Sequence, residues 1–107
     1  MSEGSDAEDE SDLEVPEGGL VRRLPIINKR GLHARASAKF VQTVERFGAS
    51  VSVTRAGETV GGRSIMGLLT LGAGKGTAIT VVAVGEDAQA ALDAIEALVA
   101  NRFGEDE

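Results

Sequence analysis

The chain alternates between two hydrophobic periods, and this alternation limits the folds that it can adopt. Segments typical of strands lie at residues 21–27, 49–54, 58–60 and 78–84. Segments with the 3.6-residue period of helices lie at residues 34–47 and 86–102, and the apolar residues within 64–70 are too dense for a half-exposed strand, which favours a short helix there. The resulting order is β-α-β-β-α-β-α, with a hairpin at 49–60 that makes the sheet at least partly antiparallel. It predicts an α+β open-faced β-sandwich, a four-stranded sheet with three helices on one face.

Acidic side chains are concentrated at the beginning of the chain. Residues 1–19 hold eight acidic residues and no Lys or Arg, whereas the remaining residues hold nine acidic and 11 basic ones. Segment 1–19 is too polar to bury enough surface to offset the entropy of ordering it. We therefore predict a disordered acidic extension over 1–19, a domain over 20–104 and an acidic tail end over 105–107. The extension attracts basic partners, covers the basic body of the chain or only solubilises it, and solvation is the commoner role of acidic runs.

Composition excludes several classes of site. The chain has no cysteine, which excludes disulfides, thiolate metal clusters and cysteine catalysis. Its one histidine, His33, argues against a multi-histidine metal site, and no Gly-x-Ser-x-Gly elbow supports a serine triad. We expect no metal and no cofactor. The longest apolar run, 78–84, is too short to span a bilayer, and no secretory signal precedes it, so we expect a cytoplasmic protein without membrane insertion.

The segment that carries the most chemistry is GLHAR at residues 31–35. It places His33 in the last loop residues before a predicted helix and Arg35 in the first turn of that helix. The free N–H groups of a first turn attract an anion, and a guanidinium suits phosphate oxygens. A neutral imidazole is a nucleophile near physiological pH, so His33 is a candidate phosphoryl acceptor. The alternative is that His33 only caps the helix or lies in a surface loop.

A second candidate begins the short helix at residues 64–70. Ser64 is well placed as an N-cap, and it is also a candidate phosphorylation site because phosphate is favoured at a helix start. Ile65 and Met66 are candidates for an exposed apolar contact patch, since Met suits surfaces that meet several partners.

Nucleic-acid binding is the competing class of function. Residues 20–75 hold ten basic residues against two acidic ones, and such a concentration of positive charge is typical of nucleic-acid-binding proteins. However, the chain has no Tyr or Trp, and its three Phe residues fall at predicted core or terminal positions. Stacking on bases requires exposed aromatic side chains. A small basic nucleic-acid-binding α+β module is therefore the alternative, and we expect no nucleic-acid partner.

Taken together, GLHAR at 31–35, SIMG at 64–67 and Leu71-Gly72 resemble the HPr family in identity, order and spacing. This family comprises the histidine-containing phosphocarriers of the bacterial phosphoenolpyruvate-dependent phosphotransferase system. The resemblance covers about residues 20–103 and implies the β-α-β-β-α-β-α open-faced sandwich. It also implies a carrier protein rather than an autonomous enzyme.

The resemblance assigns roles to individual residues. His33 would accept a phosphoryl group on Nδ1 from enzyme I, which takes it from phosphoenolpyruvate, and would pass it to an enzyme IIA protein. Arg35 would stabilise that group. Ser64 matches the regulatory serine that an HPr kinase/phosphorylase modifies in some bacteria. The docking surface would include Ile65 and Met66, together with the first helix near Ala38.

The sequence departs from many sugar-transport members of the family at one position and in one segment. Ala36 stands where those members carry Pro, and the loop at 28–30 resembles that of the nitrogen-related branch. The acidic extension over 1–19 is not part of the ordinary family domain. Both sugar uptake and a regulatory phosphorelay remain open as the pathway.

Overall fold

A computed structural model describes residues 15–107 of the chain. In this region the strands are β1 (Leu20–Pro25), β2 (Ser50–Arg55), β3 (Glu58–Gly61) and β4 (Ala78–Val84). The helices are α1 (Ala34–Val44), α2 (Ile65–Thr70) and α3 (Ala88–Ala100), and a short 3-10 turn follows at Arg102–Gly104. The predicted order β-α-β-β-α-β-α is confirmed.

The four strands form one antiparallel sheet in the order β1-β4-β2-β3. Strand β4 lies between β1 and β2, as its continuous apolar run predicts, and five of its seven residues are buried. Strand β1 lies at an edge, which accommodates Pro25 because proline has no N–H to donate to a second neighbour. The predicted α+β open-faced sandwich is confirmed.

The core lies between the sheet and the helices. Helix α1 contributes Phe40 and Val44, both fully buried, and α3 contributes its predicted stripe at 3.6-residue spacing. The buried stripe residues of α3 are Leu92, Ile95 and Val99. On the other side of α3, Arg22 of β1 forms ion pairs with Asp93 and Glu96, at 2.9 and 2.8 Å. The guanidinium of Arg22 lowers the pKa of Asp93.

The end of α1 differs from the prediction. The pattern at 34–47 predicts a helix up to Phe47 with Gly48 as a left-handed cap, but α1 ends at Val44 and Gly48 does not have a positive φ. Tighter hydrogen bonds explain the difference, because Arg46 N–H donates to Thr43 O and Phe47 N–H donates to Val44 O. The N–H of Gly48 instead donates to Asp87 Oδ2 at 2.7 Å. The cap prediction for Gly48 is therefore wrong.

Two further elements are shorter than predicted. Strand β1 ends at Pro25, and the buried Ile26 bonds to the 72–77 loop through Thr77 O and Gly76 N–H. Helix α3 begins at Ala88, because Gly85 has a φ of +129° and the carboxylate of Asp87 contacts Gly48 rather than capping its own helix.

Most of the predicted acidic extension, residues 1–14, lies outside the described residues. Residues 15–19 are described and contain a turn in which Gly19 N–H donates to Pro16 O at 2.8 Å. Across residues 15–107, no helix combines the length and apolar character that crossing a membrane requires.

Candidate functional site

The loop before α1 is held by a close backbone approach. Gly31 has a φ of +69°, and a Cβ at this position would lie only 2.4 Å from Ala73 O. Glycine is therefore required here for both its conformation and its lack of a side chain. The next residue, Leu32, donates its N–H to the same Ala73 O at 2.8 Å and is buried. These contacts fix the backbone of the two residues that precede His33.

His33 is the N-cap residue of α1. Its backbone is extended, and its carbonyl accepts the first helical hydrogen bond from Ser37 N–H at 2.8 Å. Its Nδ1 accepts the N–H of Arg35 at 3.2 Å. The side chain of His33 therefore caps α1, which is the role that the alternative to phosphoryl acceptance predicts. An accepting Nδ1 carries a lone pair rather than a proton. The same geometry therefore places an unprotonated ring nitrogen at the start of α1.

Basic residues line the same surface depression as His33. His33 lines an open surface depression together with four basic residues, which are Lys29, Arg30, Arg35 and Lys39. Arg35 is exposed in the first turn of α1, and its guanidinium has no hydrogen-bond or ion-pair partner within residues 15–107. The helix dipole and these cations both favour an anion beside Nδ1.

The end of the chain forms the other wall of the depression. Gly104, Glu105, Asp106 and Glu107 line it, although the sequence indicated only an acidic tail end over 105–107. Lys39 of α1 donates to Phe103 O at 2.6 Å, and Lys29 N–H donates to Glu107 O at 2.6 Å. Phe103 is fully buried and anchors this segment in the core.

Glu105 contacts the ring of His33 on the side opposite α1. Its Oε2 is hydrogen-bonded to His33 Nε2, and its Oε1 accepts from Asn28 Nδ2 at 3.0 Å. Burial opposes the charged carboxylate, but the hydrogen bonds from Asn28 and His33 and the charge of Arg30 outweigh it and lower the pKa of Glu105. Sequence analysis did not identify Glu105 or Asn28 as site residues.

Ser64 is the N-cap residue of α2, as the sequence predicts, and its Oγ accepts the N–H of Gly67 at 2.9 Å. The hydroxyl is exposed beside Ile65 and Met66, whose side chains are 40% and 71% exposed. Ala38 is half-buried on α1. Ser64, Ala38, Ile65 and Met66 do not line the depression around His33. The candidate residues therefore form two groups, one around His33 and one at the start of α2.

The group around His33 has what phosphoryl acceptance requires. An unprotonated ring nitrogen can attack phosphorus once its lone pair is released from the Arg35 N–H, and nearby cations and N–H groups can offset the charge of the phosphoryl oxygens. Little further protein chemistry is needed, because phosphoryl transfer depends mainly on positioning and charge stabilisation.

Comparisons with known proteins identify the family of the chain. Residues 20–101 match a family model described as the PTS HPr component phosphorylation site. The phosphocarrier protein HPr of Cupriavidus necator is 51% identical over 88 residues, which cover 82% of this chain and 99% of that protein. The phosphocarrier protein NPr of Shewanella violacea is 43% identical over 86 residues, covering 80% of this chain and 94% of its own.

A solved structure of the same kind also matches the fold. The crystal structure of HPr-C-His from Thermoanaerobacter tengcongensis aligns with a TM-score of 0.79 at 36% identity. The alignment covers 82% of this chain and 99% of that one. The family model, the sequence relatives and the fold agree, and the chain therefore belongs to the HPr family of phosphocarriers of the bacterial phosphotransferase system.

Proposed function

We propose that His33 accepts a phosphoryl group on Nδ1 from enzyme I, which takes it from phosphoenolpyruvate, and passes it to an enzyme IIA protein. The observation that carries this proposal is the position of Nδ1, which faces the first turn of α1 within a depression lined by basic side chains. The test is transfer from enzyme I to His33 and then to purified IIA proteins of the sugar and nitrogen branches. Labelling of one IIA and not the other would identify the pathway, which Ala36 and the 28–30 loop leave open.

The step balances without loss of a proton from the attacking atom. A P–N bond forms between phosphorus and the lone pair of Nδ1, while the bond between phosphorus and the donor atom breaks and its electron pair leaves with the donor. The ring keeps its proton on Nε2 and becomes positively charged. Transfer to enzyme IIA reverses the process at the ring, so the protein is a covalent intermediate and not an autonomous enzyme.

The first turn of α1 supplies the groups that would hold the phosphoryl oxygens. The N–H of Arg35 now bonds to Nδ1, and it becomes available to an oxygen once phosphorus occupies that lone pair. The Arg35 guanidinium is exposed beside it and offers planar donors. We assign Arg35 to stabilising the phosphoryl group as it arrives and leaves.

Arg35→Ala should slow phosphoryl transfer at least tenfold, by analogy with the roughly 100-fold or larger losses seen when one donor to a developing anion is removed. The stability should hardly change, because the side chain is exposed and has no partner within residues 15–107. Single-turnover transfer from phosphorylated enzyme I and urea unfolding measure the two effects. Arg35→Lys, which keeps the charge without the planar fork, should recover part of the rate. Native transfer by Arg35→Ala would remove this role.

The group at the start of α2 is proposed as a docking and regulatory surface. Ile65 and Met66 provide exposed apolar area, and with Ala38 of α1 they would contact enzyme I and enzyme IIA. Ser64 lies beside them, so phosphorylation by an HPr kinase/phosphorylase would introduce a dianion into the patch. That charge would be stabilised by the start of α2 and would weaken enzyme I docking.

An HPr kinase assay tests the role of Ser64. The wild type should be labelled at Ser64, and its phosphorylated form should receive phosphate from enzyme I more slowly. Ser64→Asn is the matched control, because asparagine keeps the N-cap whereas Ser64→Ala loses about 1 kcal/mol of cap stability. Equal labelling of Ser64→Asn and wild type would exclude this site.

We further propose that this exchange takes place in the cytoplasm, that residues 20–104 form the phosphocarrier domain with the tail end 105–107 packed against its site, and that the acidic extension over 1–19 is a solubilising segment. The support is the composition of residues 1–19, which hold eight acidic and no basic residues.

A further inference from the structure

We propose that Glu105 is a positioning residue for His33, whose carboxylate keeps the ring proton on Nε2 and offsets the positive charge that the ring gains with a phosphoryl group on Nδ1. This inference rests on the proposed function and concerns the same site.

Three side chains form a continuous chain of hydrogen bonds at this end of the molecule. Asn28 is fully buried, and its Nδ2 donates both to Gly31 O at 2.9 Å and to Glu105 Oε1 at 3.0 Å. The other oxygen of Glu105 is bonded to His33 Nε2. The side chains of His33 and Glu105 are only 25% and 21% exposed. The carboxylate of Glu105 is therefore fixed by Asn28 through the oxygen that does not contact His33, and it is partly shielded from water.

The two hydrogen bonds of the ring define one tautomer. A carboxylate can only accept, so Nε2 must donate to Glu105. A backbone N–H can only donate, so Nδ1 must accept from Arg35. The proton is thus directed to Nε2 and the lone pair to Nδ1, which is the nitrogen facing α1. The protonated nitrogen contacts Glu105 of the tail, and the reactive one contacts the first turn of α1.

The same carboxylate also acts on charge. When Nδ1 bonds to phosphorus, the ring retains the Nε2 proton and carries a positive charge. A carboxylate bonded to that proton stabilises the cation as it forms, as an aspartate does for the imidazolium of a serine triad. Charge stabilisation is stronger in a site that is partly shielded from water than in open solvent. Glu105 therefore favours both the nucleophilic form of the ring and its phosphorylated product.

The neighbouring tail acids lack this contact. Asp106 and Glu107 are exposed, and neither contacts the ring, although Glu107 pairs with Lys29 at 3.4 Å. Anchoring of Phe103 in the core and the bond from Lys39 to Phe103 O place Glu105 against His33. Of the three acidic residues at the end of the chain, Glu105 is thus the one in position to act on the ring.

The carboxylate of Glu105 also has an opposing electrostatic effect on phosphorylation, and this effect determines which change of rate would contradict the proposal. A negative charge near the site repels an incoming phosphoryl group, and simple repulsion predicts that neutralising Glu105 would accelerate phosphorylation. Because Nε2 and Nδ1 lie on different edges of the ring, the carboxylate is directed away from the phosphoryl position. We therefore expect its stabilisation of the ring to exceed its repulsion of the phosphoryl group.

The first measurement is the initial rate of His33 phosphorylation by limiting phosphorylated enzyme I. Glu105→Ala should be about tenfold slower than wild type, comparable to the effect of removing a group that orients a functional histidine. Glu105→Gln should recover part of the rate, because its amide oxygen still accepts from Nε2 without the charge. Glu86→Gln is the matched control, since Glu86 is an exposed acid outside the depression, and it should keep the native rate.

The second measurement is NMR of the ring of His33 in the unphosphorylated protein. A downfield proton bonded to Nε2 should be visible in the wild type, retained at a smaller shift in Glu105→Gln and lost in Glu105→Ala. Native or faster phosphorylation of Glu105→Ala, with His33 still labelled, would overturn this inference alone. Absence of labelling in the wild type would instead overturn the proposed function, and the ring proton would still report whether the contact to Glu105 forms.

Discussion

His33→Ala should take up no acid-labile phosphate from phosphoenolpyruvate and enzyme I. His33 is the one histidine in the chain, so no second imidazole can replace it. The loss should be complete rather than partial, because under the proposed function the substitution removes the atom that would form the P–N bond, whereas Arg35 and Glu105 would only assist that atom. The measurement is incorporation of labelled phosphate that is lost on acid treatment.

The variant must also be shown to fold, since His33 caps α1. Loss of an N-cap costs about 1 kcal/mol, which a folded domain tolerates. His33→Asn is the matched control, because asparagine is a preferred N-cap residue but lacks a ring nitrogen. Both variants should unfold cooperatively in urea and remain unlabelled. Labelling of His33→Ala at the wild-type level would place the acceptor elsewhere.

Phe103→Ala should lower the free energy of unfolding by about 3–5 kcal/mol, the usual cost of truncating a fully buried phenylalanine. Phe103 has no exposed surface, and it follows α3 in a left-handed conformation with a φ of +55°. Its ring closes the core at the end of the chain. The loss is a large fraction of the 5–15 kcal/mol, roughly, that stabilises a typical domain. Urea unfolding measures it directly.

Met66→Ala provides the comparison for this effect. Met66 is 71% exposed, so its truncation should leave the free energy of unfolding almost unchanged while reducing contact with partners.

Phe103→Ala should also release Glu105 from His33, and the downfield ring proton should disappear even under conditions in which the variant is folded. A Phe103→Ala protein as stable as Met66→Ala would show that the end of the chain does not belong to the core.

The fold could be predicted because its signals are local. The alternating residues of β2, the apolar run of β4 and the 3.6-residue stripe of α3 each identify an element within a short window. The edge position of β1 follows from Pro25, because a missing N–H has the same consequence in any sheet. The ends of the elements were less predictable. Helix α1 ends at Val44 because the next residues form tighter hydrogen bonds, and the presence of Gly48, three residues beyond the cap, does not indicate this.

The site was predictable only in part, for the same reason. His33 and Arg35 lie two residues apart, so the motif and the helix start identify them together. Glu105 lies 72 positions from His33 and 77 positions from Asn28 in the sequence, and it contacts both. No local sequence pattern predicts contacts over such separations. In sequence, Glu105 has the same surroundings as the exposed acids that follow it. The buried Phe103 two residues earlier was the one available signal that this segment packs against the domain.

The most direct test of the proposed function is to find the atom that carries the phosphate. The protein, labelled with ¹⁵N in its histidine ring, is incubated with enzyme I and phosphoenolpyruvate and then analysed by ³¹P and ¹⁵N NMR. A single phosphorus coupled to Nδ1 of His33, with the proton retained on Nε2, is the predicted result. Phosphate on Nε2, on Ser64 or on no residue of the chain would contradict it.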